Sequence, residues 1–143
     1  METLDELYDK AHDMKIGVYD WHFSDRRKSA CVCGKTANIL IDRSAMRSRA
    51  EEAEKLGHEL EHIETGNLYF LLYTSPANRR WCEERTRRSY IKKRIPAEKL
   101  LEAVRETRGE IWLIAEYFGC TEELAREAYD YYQSIGLDLT EED

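Results

Sequence analysis

The sequence predicts an α+β fold with helices in the majority. Three observations carry this: an amphipathic helical pattern at the N-terminus, short alternating apolar runs between residues 15 and 42, and helical periodicity from Ser44 almost to the end. The 143 residues suit one domain spanning 1–143, with a single core. Within it, 1–95 carries the first helix, the sheet and a histidine-bearing helix, and 96–143 is a C-terminal helical part.

The N-terminal segment "METLDELYDKAHDM" places Leu4, Leu7, Tyr8, Ala11 and Met14 on one helical face. It is acidic and lacks a basic stretch leading into an unbroken apolar run, so it does not read as an export signal. No apolar run is long enough to cross a bilayer, and the expected location is the cytoplasm, without membrane contact. "KIGVYDWHF" (15–23) and "ACVCGKTANILID" (30–42) read as strands of a small antiparallel sheet, with turns at "SDRRKS" (24–29) and Gly34-Lys35.

From Ser44, Met46, Ala50, Ala53, Leu56, Leu60 and Ile63 recur at steps of three and four until Gly66, a favoured residue just past a helix end. After the Tyr-rich stretch and the breaker Pro76, residues 77–94 continue as helix. Pro96 opens "PAEKLLEAVRET". "EIWLIAEYF" ends at Gly119, and "TEELAREAYDYYQS" starts with Thr121 as N-cap. The tail "LDLTEED" is expected to fray.

The net charge of −7 argues against broad nucleic-acid binding, because phosphates must be met by an excess of cations. A helix-turn-helix reading of the last two helices fails for the same reason: Glu122, Glu123, Glu127 and Asp130 stand against only Arg126. Trp112, Phe118, Leu124 and Tyr131 are instead assigned to a small helical core. The basic run Arg79, Arg80, Arg85, Arg87, Arg88, Lys92, Lys93 and Arg94 reads as a solvated helix face, aided by Glu83–Arg87 and Glu84–Arg88 pairs, in preference to a docking patch. Cys31, Cys33, Cys82 and Cys120 read as reduced thiols. The Cys-x-Cys pair lacks a partner pair at zinc-ligand spacing. His12 and His22 read as surface residues.

Chemistry concentrates in "KLGHELEHIETG" (55–66). Residues four apart on a helix lie one above the other, so His58 and His62 can aim ring nitrogens at one point with Glu59 beside them. Two neutral imidazoles supply two metal ligands, and the glutamate can take a proton from an attacking water. On the helical wheel the pair faces away from the aliphatic stripe, toward either solvent or a cleft walled by another segment. A catalytic zinc needs a third protein ligand, and Glu83 or the adjacent Glu84 on the next helix could provide it. For the oxyanion, Tyr69, Tyr73 and Tyr90 are the candidate donors.

The segments "LGHELEHIETGNLY", "CEERTRRSYIKKRIP" and "IAEYFGCTEELAREAYDYY", in this order over nearly the whole chain, resemble the ImmA/IrrE family of metallo-endopeptidases of phages and mobile elements. The resemblance implies a zincin-like minimal core, with His58, His62 and Glu83 as ligands of Zn2+ (Mn2+ being an alternative) and Glu59 as general base. It also implies a protein substrate, namely a helix-turn-helix repressor or similar regulator.

Two departures stand out. Relatives commonly carry a small residue where this chain has Glu61, and Ala-Asp or Ala-Asn where it has Thr86-Arg87. The first adds negative charge near the metal; the second removes an acceptor for a ligand histidine, and arginine has none to offer. A weaker or partner-dependent enzyme follows, or alternatively an antirepressor that binds its partner without cleaving it.

Overall fold

The computed structural model describes residues 2–24, 29–33, 38–68 and 74–140. Among them the chain forms six α-helices and a three-stranded sheet, with a helix first: an α+β protein. Its contacts gather into two compact units, one from Glu2 to Tyr90 and one from Ile91 onward, and each has its own apolar cluster where one core was expected.

In the first unit, α1 (Leu4–Asp13) begins with a reciprocal cap: Thr3 accepts from the Glu6 amide while the Glu6 carboxylate accepts from the Thr3 amide. Leu4, Leu7 and Ala11 form its buried face. The sheet holds β1 (Val18–Asp20), β2 (Ala30–Cys33) and β3 (Asn38–Ile41) in the order β1-β3-β2. It is mixed, correcting the antiparallel expectation: β2 pairs with β3 antiparallel, whereas β1 pairs with β3 in parallel, Val18 opposite Ile39. The reason lies in β3, whose Ile39 and Ile41 are fully buried. The most apolar strand takes the centre and its two predecessors take the edges, so β1 is not the hairpin partner of β2, and the long connection from β1 to β3 leaves its direction free to be parallel. The turn assigned to Gly34-Lys35 and most of that assigned to 24–29 lie outside the described residues.

The central helix α2 runs from Arg49 to Thr65 and starts later than the periodicity suggested. A 3-10 turn at Arg43–Ala45, capped by Asp42, precedes it, and the Ser48 hydroxyl caps α2 itself by accepting from the Glu51 amide. Leu56 and Leu60 pack with Ile39, Ile41 and the α1 residues in one cluster. The helix stops at Gly66, whose left-handed backbone (φ 70°) turns the chain out of the helix.

Helix α3 (Pro76–Arg94) includes Pro76 as its first residue, where a missing amide costs nothing. The second unit continues with α4 (Ala97–Thr107), α5 (Ile111–Phe118) and α6 (Glu122–Ser134), around Leu100, Val104, Ile114, Phe118, Leu124 and Ala128. Tyr132 reaches into this cluster and donates its hydroxyl to the Ile95 carbonyl at 2.8 Å. Of the four residues assigned to this core, Trp112 is a correction: it is 51% exposed, and Tyr131 is only partly buried. The tail is another, since Leu139 is buried in the same cluster.

Candidate metal centre

Helix α2 presents His58 and His62 on one face, one turn apart, with their rings perpendicular and the centroids 4.8 Å apart. That face is not a solvated one: His62 is 3% exposed, Glu59 7% and Glu61 4%. It is covered from α3, which turns Glu83 and the fully buried Thr86 toward it. Thr86 follows Glu83 by three positions, which puts both on one side of the helix.

Glu83 joins the two histidines. One carboxylate oxygen lies 2.9 Å from His58 Nε2, and both lie 3.2 Å from His62 Nε2. The candidate ligand atoms of the three residues lie within 4.8 Å of one another. Tetrahedral zinc, with bonds of about 2.1 Å, places its ligand atoms about 3.4 Å apart, so the three could close on such an ion with small side-chain movements. Two imidazole nitrogens and one carboxylate also match the donor chemistry of a divalent first-row ion. The group formed by His58, His62 and Glu83 can therefore hold a metal ion. Of the two glutamates left open by spacing, Glu83 is the one turned inward; Glu84 is exposed and lies 3.7 Å from Arg88.

The electrostatics follow from this packing. Burial opposes a charge on His62, yet the hydrogen bond to Glu83, the Asn67 carbonyl and the nearby Glu59 outweigh it and hold the imidazole above its ordinary range. Burial likewise pushes the Glu59 carboxyl up, against the attraction of His58 and His62. A carboxyl raised in this way holds a proton more readily than one in water.

The surroundings answer the two departures. Glu61 points to α3, where one of its oxygens accepts from the Ser89 hydroxyl at 2.5 Å. The acceptor that Arg87 cannot provide is present in another form: His62 Nδ1 lies 2.7 Å from the Asn67 carbonyl and 3.1 Å from the Thr86 hydroxyl oxygen. Sequence reasoning missed both partners. A backbone carbonyl has no residue signature, although Gly66 marks the turn that delivers it; Thr86, fully buried, was visible only as a departure. Tyr69 and Tyr73 lie outside the described residues. Tyr90 reaches α2 at Gly57, next to His58. The basic face of α3 is exposed at Arg79, Arg80, Arg85 and Arg88, with the Arg85 guanidinium 4.5 Å above the ring of the exposed Trp81. No family model matches the chain, and neither a curated protein nor a solved structure matches it. Among the described residues, no helix is long and apolar enough to cross a membrane.

Proposed function

We propose that the protein is a zinc-dependent endopeptidase with a zincin-like core, and that it acts on a regulatory protein such as a helix-turn-helix repressor of a phage or mobile element. The single observation behind the chemistry is the convergence of Glu83, from a helix distant in sequence, on the two histidines of His-Glu-x-x-His. The ImmA/IrrE-like order of segments supports the substrate class.

His58, His62 and Glu83 would hold the ion. Zinc in such a site acts as a Lewis acid on the scissile carbonyl and lowers the pKa of water toward neutrality. Glu59 takes the proton of the attacking water and returns it to the leaving amine, a role suited to a carboxyl that burial has raised. The buried flank of α2 keeps bulk water from the base.

Metal content decides the first half of the reading. About one zinc per chain by elemental analysis, lost in His58→Ala, is the expected result; no uptake at neutral pH in excess zinc would end it. The second half turns on Glu59→Gln, which should bind metal and partner yet cleave nothing. If that variant retained full biological activity, the protein would be an antirepressor acting by binding alone.

A further inference from the structure

We propose that Thr86 is a positioning residue for His62: together with the Asn67 carbonyl it fixes the imidazole as the tautomer protonated on Nδ1, so that Nε2 is the nitrogen offered to a metal. This rests on the metal reading of the site and concerns residues of this chain only.

The argument is a hydrogen-bond count. Thr86 is fully buried, and its hydroxyl proton is committed to the Cys82 carbonyl at 2.9 Å. A hydroxyl has one proton, so toward His62 its oxygen can only accept. The Asn67 carbonyl can only accept as well. Two acceptors at 3.1 and 2.7 Å from the same ring nitrogen require a proton on Nδ1. The lone pair of the neutral ring is then on Nε2, which faces Glu83. Ring rotation would break both contacts at once, so the orientation is fixed together with the tautomer.

The two acceptors come from separate elements. The carbonyl is delivered by the turn at Gly66, which Thr65 braces by donating its hydroxyl to the Glu61 carbonyl at 2.7 Å. The hydroxyl comes from α3, three residues beyond Glu83 and so on the same side of that helix. One turn of α3 thus carries both the carboxylate for the Nε2 side of the ring and an acceptor for its Nδ1 side.

The test compares wild type, Thr86→Val and Thr86→Ser. Valine keeps the shape and removes the acceptor, while serine keeps the acceptor. Zinc affinity is measured by competition with a chromophoric chelator, and the tautomer of neutral His62 is read in the metal-free protein from long-range 1H–15N correlations. The expected result is a roughly tenfold loss of zinc affinity in Thr86→Val, a mixed tautomer at His62, and recovery of both in Thr86→Ser. Wild-type affinity and an unmixed Nδ1–H tautomer in a folded Thr86→Val protein would overturn the proposal. If wild type binds no zinc, the metal reading fails, and the tautomer comparison still decides the role of Thr86.

Discussion

The ring of Tyr90 rests on the backbone of Gly57: a Cβ built at that glycine would lie 3.1 Å from both Cζ and the hydroxyl oxygen. The absence of a side chain at 57 is what lets α3 lay this ring on α2, one residue before His58. Alanine there gains about 1 kcal/mol of helix propensity but must push the ring by a few tenths of an ångström. A larger residue cannot be accommodated in this way. Gly57→Leu is expected to destabilise the protein by about 2 kcal/mol, read as a lower urea midpoint, and to weaken zinc binding by displacing Glu83. Unchanged zinc affinity would mean that the ring contact does not help to place α3.

The raised pKa of His62 sets opposite pH trends with and without metal. A group whose folded-state pKa lies above its unfolded value contributes stability that is complete below the unfolded value, about 6.5 for histidine, and is lost as pH rises through the folded one. The metal-free protein should therefore melt at a lower temperature at about pH 8 than at about pH 6. Zinc affinity should rise over the same interval, because the ion must displace the Nε2 proton. Glu83→Gln is expected to shrink the first trend and to cost more than the ~10-fold typical of losing a supporting residue. Parallel melting curves for wild type and variant in EDTA would remove Glu83 as the source of the shift.

Glu59 is kept at a cost. Its carboxyl is raised by burial, so ionising it near neutral pH works against the folded state. Glu59→Gln preserves the shape and removes the charge, and should stabilise the metal-free protein by about 1 kcal/mol while abolishing peptide hydrolysis. A variant that loses stability at pH 7 would show that the charge of Glu59 is needed by its histidine neighbours.

Ser89 holds the buried Glu61, which shares α2 with the two histidines. Hydrogen bonds to charged groups contribute about 2 kcal/mol, so Ser89→Ala should lower stability by that order, and Ser89→Thr should retain most of it. Chemical denaturation of the three proteins distinguishes a structural anchor from an incidental contact.

Much of this was legible in the sequence, and the pattern of successes and misses has physical causes. The apolar periodicity located α1, α4, α5 and α6 closely, because each has a distinct buried stripe ended by a cap or a left-handed residue. Helical geometry alone paired His58 with His62, and the demand for a third ligand led to Glu83 or Glu84 without separating them, since neighbouring positions at the same distance along the chain differ only in which way the next helix is turned. The parallel pairing of β1 was not legible, since strand order depends on which strand buries both isoleucines and not on the chain's local turns. Nor was the covering of the histidine face. The wheel shows only where residues point on one helix, and α3, very polar overall, reaches α2 through Glu83, Thr86, Ser89 and Tyr90, a set with no apolar stripe to mark it. Trp112 was misplaced because aromatic residues are assigned inward by default, while here the shorter Ile114 and Ala115 fill that space.

The strand order β1-β3-β2 also bears on how the chain acquires its shape. The hairpin of β2 and β3 closes a short loop, whereas Val18 meets Ile39 only after the whole intervening stretch, β2 included, has been brought round. Loop closure costs more entropy for the longer span, so the hairpin can collapse early and β1 docks afterwards. Until it does, one edge of β3 stays open beside its two isoleucines, which makes the nascent sheet the place where a slowly folding or truncated chain would capture a neighbouring strand and aggregate.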